Sequence, residues 1–201
     1  MEPYYERAIC TARKNHDEKS VIELTEELFD ILSKDNQARN QEETFLEVSD
    51  LLRWLRACAL YAYCCCIQKK YTRAGNALLM AEKDMENSIE NWNEKAEEEA
   101  EKAKEAEEFS EQWYMNDLQR YKMIAEELNK QREPMFRFFE EQLVLLEKIL
   151  PEHHPLLSMQ RELMIWFCDD DKKAKKLERQ NKKEKLFALF HNWDSWWEPD
   201  T

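Results

Sequence analysis

Glycine is almost absent: Gly75 stands alone in 201 residues. β-Hairpins, phosphate-cradling loops and dinucleotide fingerprints need several residues at positive φ, which glycine adopts without steric cost. Sandwiches, barrels, P-loops and Rossmann units are therefore excluded. Proline is also sparse: Pro3, Pro134, Pro151, Pro155 and Pro199 leave long intervals open to helix. No run approaches the roughly 18 apolar residues of a membrane helix. The opening residues Met1-Glu2-Pro3-Tyr4-Tyr5 lack the basic start and apolar stretch of a secretion signal. The expectation is a cytoplasmic protein without a membrane partner. Its cysteines, Cys10, Cys58, Cys64, Cys65, Cys66 and Cys168, are expected as reduced thiols.

Positive charge is in deficit as well. Lys and Arg number 30 against 43 Asp and Glu, a formal net charge of −13. Such a field repels nucleic acid and anionic lipid, and it favours basic-surfaced partners. It also simply keeps a chain in solution. What is present in quantity is apolar material, 43% of residues with seven Trp, which is enough for a core.

Catalytic signatures are missing too. The chain has no Gly-x-Ser-x-Gly, His-Glu-x-x-His, Cys-x-x-Cys pair or Glu-x-x-His. Cys64-x-Cys66 is not a zinc spacing, and consecutive helical cysteines point about 100° apart. His153 and His154, with Cys168, are the remaining metal candidates. In a proline-bounded linker, adjacent histidines read as solvated or capping groups. No enzyme, metal or cofactor is expected.

Helical periodicity runs through the chain. Residues 4–15 form a short helix. Ser20-Val21-Ile22-Glu23 reads as a capping box ahead of Val21, Leu24, Leu28, Ile31 and Leu32. The polar stretch 33–41 reads as a connector. A helix over 42–69 carries Phe45 to Cys66, and a turn at Lys69-Lys70 leads to one with Ala74, Ala77, Leu78, Ala81 and Met85. Small residues on both allow close approach. Between Glu94 and Glu108 stand eight Glu and three Lys, with alanines as the apolar groups: a solvated or frayed helix, or an acidic interaction tract. Apolar residues return at 109–128, and Pro134 breaks or starts a helix. An apolar helix follows, and Pro151 to Pro155 stop it. A helix over 156–168 comes next, and Asp169-Asp170-Asp171 caps a basic helix, in agreement with the helix dipole. That basic face is solvated or lies against the acidic helix rather than on nucleic acid, since no aromatics interleave it. Trp193, Trp196 and Trp197 close the chain, either folded onto an apolar groove or inserted into a partner.

The fold expected is all-α: antiparallel helical hairpins in a tetratricopeptide-like array of about seven or eight helices. Its parts are 1–134, which includes the acidic helix, and 135–201, or else one continuous domain. Against the tetratricopeptide pattern, Cys58 takes the Trp slot, Tyr61 and Ala62 the Leu-Gly slots, and Cys65 the Tyr slot. Tyr71, Ala74, Leu78 and Ala81 match the second helix. The run 60–85, with Gln68-Lys69-Lys70-Tyr71 followed by Ala74, Ala77, Leu78 and Ala81-Glu82, resembles a helical pair in the kinesin-binding proteins, tetratricopeptide-like inhibitors of kinesin motors. The run 135–164, with Leu145-Leu146-Glu147, the proline connector, Leu156-Leu157 and Arg161-Glu162, is similar to a later pair there. The acidic helix and the Trp-rich tail have no counterpart in that family.

The resemblance implies a protein-interaction module that inhibits or regulates a kinesin motor; microtubules are acidic and motors meet them through basic surfaces, and the charge of this chain suits it to occupy such a surface. In the tetratricopeptide register Arg56, Ala59, Tyr63 and Ile67 line the inner face. The other expectation is a general scaffold or adaptor that docks a dedicated partner through Trp193, Trp196 and Trp197.

Overall fold

Tyr5, Ile9 and Ala12 recur at three- and four-residue intervals, and they turn one side of α1 (Glu2–Lys14) towards the core. The computed structural model describes residues 2–42, 47–105 and 108–190. These residues are all-α: α1, α2 (Glu18–Glu42), α3 (Val48–Ile67), α4 (Tyr71–Glu105), α5 (Glu108–Glu147), α6 (Pro155–Trp166) and α7 (Asp171–Phe190). Each helix packs on its neighbour in sequence, and α3 also packs on α5 and α4 on α6. That is a layered array of helical hairpins. No described helix is long and apolar enough to cross a membrane.

Helix α3 lies at the centre. Its buried side chains run right round it, from Leu51, Trp54 and Leu55 to Cys64, Cys65 and Cys66, because α2, α4 and α5 all pack on it. On the α2 side, Phe29 stacks on Tyr61 at 4.0 Å between ring centres and on Trp54 at 5.3 Å. On the α4 side the residues are small: Ala74, Gly75, Ala77 and Ala81 are buried against the α3–α4 interface. The close α3–α4 pairing expected from the small residues is what forms.

The scarcity of glycine has a visible consequence. Three connectors hold non-glycine residues at positive φ: His16 at 56° after α1, Lys69 at 60° after α3 and His153 at 66° just before the cap of α6. Each takes a left-handed conformation that glycine adopts without steric cost, at about 1–2 kcal/mol. After Lys69 the Lys70 amide reaches back to the Cys65 carbonyl at 2.8 Å, which closes the turn into α4.

Three local expectations change. The cap of α2 is Asp17, not Ser20: the Ser20 amide donates to Asp17 Oδ1 at 3.1 Å and its hydroxyl to Oδ2 at 2.6 Å. An aspartate at that place satisfies an orphan amide of the first turn. The 33–41 connector is helical and belongs to α2, held by Asn36, whose amide donates to Asp84 on α4 at 2.9 Å. Pro134 neither breaks nor starts a helix; it lies inside α5. The partly buried Ile124 and Leu128 before it pack against the same core that holds Met135, Phe136 and Phe139 after it.

The caps of the last two helices follow their sequence. His154 accepts the Leu156 amide through Nδ1 at 3.2 Å, with Pro155 at the first helical position. Asp170 Oδ1 accepts the Lys172 and Lys173 amides at 2.8 and 3.1 Å. Helix α7 then lies on α6, where buried Arg161 bonds to Glu184 and to Asn181 Oδ1, and the Asn181 amide bonds to the Ser158 carbonyl. Two of its lysines pair with Glu140 on α5 and Glu162 on α6.

Candidate functional site

Helices α4 and α5 are the two longest, 35 and 40 residues. They run antiparallel on either side of residues 106–107. Along their seam, apolar residues recur at alternating three- and four-residue steps: Met85, Ile89, Trp92 and Ala96 on α4, and Leu118, Tyr121, Ala125 and Leu128 on α5. That spacing keeps one stripe of each helix facing the same side. Trp166 and Phe167, at the end of α6, close the base of the seam. Between these walls lies a cleft of about 460 Å³.

The cleft is apolar with a few polar groups at its edge: Asn93 on α4, and Lys122, Asn129 and Arg132 on α5. Arg132 pairs with Asp169 at 3.2 Å. Trp92, on the floor, is almost fully buried. A concave apolar surface with a small polar rim is the form binding sites take.

On the other side of Trp166 and Arg132 is a second pocket of about 770 Å³ between α4, α6 and α7. Its walls carry Glu82, Glu86, Glu162 and Glu178 against Lys182 and Lys185. Partial burial, then the neighbouring carboxylates of Glu162 and Glu86, push the Glu82 carboxyl up to about 6, while Lys185 opposes that shift. Lys185 is itself engaged by Glu162.

The residues that the tetratricopeptide register assigns to an inner face do not line this cleft. Arg56 turns to α5: its Nε donates to Met135 Sδ at 3.1 Å and its guanidinium sits 5.9 Å from the Phe138 ring centre. Ala59 is completely buried. Tyr63 meets Arg13 at 5.8 Å, and burial raises its hydroxyl pKa. With Ile67 it lines a pocket of about 500 Å³ that is also walled by His16 on the α1–α2 turn and Leu145 on α5. Helix α5 thus packs along the side of α3 that carries these four residues. Trp193, Trp196 and Trp197 lie outside the described residues.

The cleft is hard to see in the sequence because the apolar stripe of α4 thins out after Met85. Ile89 and Trp92 continue it at the same spacing into the glutamate-rich segment, and they were the available signal. Among the described residues, no three His, Cys, Asp or Glu side chains gather as a metal site would require. Cys58, Cys64, Cys65 and Cys66 are buried. Burial raises all four thiols, Cys64 and Cys65 to about 11, which opposes thiolate chemistry. No protein-family model matches the chain, and neither a curated protein nor a solved structure does.

Proposed function

We propose that this chain is a protein-recognition module for a basic-surfaced partner. The observation that carries the reading is the apolar cleft along the α4–α5 seam, whose Trp166 end adjoins a pocket walled by Glu82, Glu86, Glu162 and Glu178. Apolar burial supplies the affinity of such a contact, and the surrounding carboxylates steer a basic partner to it. A kinesin motor domain, which meets an acidic track through a basic surface, is the partner suggested by the resemblance of residues 60–85 and 135–164. Occupying that surface would make the chain a motor inhibitor or regulator.

The test is capture of a purified kinesin motor domain by the immobilised chain at low and at high salt, followed by microtubule co-sedimentation of the motor with and without the chain. Capture at low salt that is lost at high salt, with less motor on microtubules, is the expected result. No capture at low salt overturns the motor assignment. A single stoichiometric protein retained from extract at high salt would replace it with the adaptor reading, and Trp193, Trp196 and Trp197 would then be the first residues to change.

A further inference from the structure

At the base of the α4–α5 hairpin three helices pack together, because α6 lies against both α4 and α5. Phe167 stacks on Phe139 there at 5.6 Å, and Met85 and Leu163 are fully buried. Helix α6 ends at Trp166, level with Met85, whereas α4 continues to Glu105. That continuation is about 30 Å at 1.5 Å per residue. Beyond Trp166 the seam opens as the cleft, with Ile89, Trp92 and Ala96 facing Tyr121, Ala125 and Leu128. Alternating three- and four-residue steps on two adjacent helices form the groove into which a third helix packs its side chains. The stretch from Met85 to Ala96 is about 17 Å long, or roughly three helical turns.

Charge selects the occupant. The end of the cleft nearest Trp166 adjoins the pocket holding Glu82, Glu86, Glu162 and Glu178. Its cations are largely committed: Lys185 to Glu162 and Arg132 to Asp169, with Lys182 the third. Four carboxylates, Glu82, Glu86, Glu162 and Glu178, share that pocket with three cations, Arg132, Lys182 and Lys185, so this end is short of positive charge. A second copy would bring another acid-rich α4 to the same place, and like charge opposes that. We propose that the cleft takes one amphipathic helix from a partner protein, with its apolar face along the α4–α5 seam and a lysine or arginine at the Trp166 end, against Glu82 and Glu86. This rests on the recognition-module reading and names its ligand class.

The probe is a fluorescein-labelled helical peptide of about 14 residues, long enough for the cleft, with leucine and lysine in amphipathic order; a leucine–glutamate peptide of the same pattern is the comparison. Binding to the full chain is read by fluorescence anisotropy, and folding of each variant by circular dichroism. Ala125 is exposed on the cleft wall, so Ala125→Glu blocks the cleft without entering the core. We expect Ala125→Glu to weaken the leucine–lysine peptide by about tenfold or more, although it adds negative charge. The pair Glu82→Gln and Glu86→Gln weakens it by about tenfold, and Glu97→Gln with Glu98→Gln, further along α4, changes it by less than about twofold. Equal binding by all variants, or equal binding of the leucine–glutamate peptide, overturns the proposal. A dimer in sedimentation that Ala125→Glu dissociates also overturns it, because a second copy is then the occupant. Loss of motor capture with the peptide results intact sinks the motor assignment alone. Motor capture intact with peptide binding indifferent to Ala125→Glu sinks the cleft assignment alone.

Discussion

The indole N–H of Trp54 donates to Asp84 Oδ2 across 2.7 Å, and the Asn36 amide donates to the same oxygen at 2.9 Å. One carboxylate thereby joins α2, α3 and α4. Trp54 is 2% exposed and Asn36 8%, so neither donor has ready access to water if the acceptor is removed. A buried donor left unpaired costs about 1–3 kcal/mol. Asp84→Ala should therefore destabilise the chain by roughly 2–5 kcal/mol, and Asp84→Asn, which keeps an acceptor, by less. Urea unfolding monitored by tryptophan fluorescence measures both. Equal loss in the two variants would mean that charge, not the shared acceptor, matters here.

The thiols divide by burial. Cys10 is exposed and Cys168 half-buried, whereas Cys58, Cys64, Cys65 and Cys66 lie in the core. The nucleophile is the thiolate, and burial disfavours it at those four positions. Iodoacetamide labelling of the native chain, read by peptide mass spectrometry, should mark Cys10 first and Cys168 more slowly. The core four should react only on addition of denaturant. Early labelling at Cys64–Cys66 would show that α3 opens locally.

Acid should act on this fold through two groups of opposite sign. Burial lowers the His154 imidazole from 6.5 to about 4. Between those values protons bind the unfolded chain first, so the stability tied to neutral His154 is complete above about pH 6.5 and falls towards pH 4. Glu82 is raised from 4.5 to about 6, so the folded chain takes its proton first. Its contribution grows as pH falls from about 6 to 4.5 and is lost as pH rises through that window. His154→Asn retains a helix-capping acceptor and should flatten the acid decline. Glu82→Gln should be more stable than the parent at neutral pH and should decline more steeply on acidification. Urea midpoints across the acid range decide it, and unchanged slopes in both variants would remove both assignments.

How much was legible depends on whether the signal was local. The α3–α4 hairpin was readable because Ala74, Ala77, Leu78 and Ala81 repeat within a few residues of a clear turn. The cap of α7 was readable because Asp169-Asp170-Asp171 stands directly before the basic run; Asp170 is the residue that caps. The helicity of 33–41 was not, because its anchor is the contact of Asn36 with Asp84, 48 residues away. The cleft was hidden for the same reason. Ile89 and Trp92 look isolated among glutamates until α5 brings Tyr121 and Leu128 opposite them. The tetratricopeptide register puts Arg56, Ala59, Tyr63 and Ile67 on the inner face, and says nothing of what packs there. Met135 and Phe138, both on α5, meet Arg56 there, a pairing no local pattern announces.

Pro134 is a local rule overridden by packing. Proline lacks the N–H that would bond to the Lys130 carbonyl, and its ring crowds that carbonyl; in a helix interior the cost is about 3 kcal/mol. Yet α5 continues through it, from the cleft wall at Leu128 and Arg132 to the core at Met135, Phe136 and Phe139. Those last three side chains are 0%, 4% and 0% exposed. Burying each stabilises by about 1.5–3 kcal/mol, so the three together outweigh the proline. Pro134 itself is exposed, so Pro134→Ala should restore the missing hydrogen bond without disturbing the core. Alanine also loosens the unfolded chain, which offsets about 0.4–1 kcal/mol of the gain. A net stabilisation of about 1–3 kcal/mol is expected in urea unfolding. Arg132, two residues before the proline, is part of both pocket walls, so the same variant should also change leucine–lysine peptide affinity. Gain of stability with unchanged affinity would show that the cleft does not depend on the helix geometry at this point. Loss of stability would show that the packing on either side requires the backbone that proline imposes.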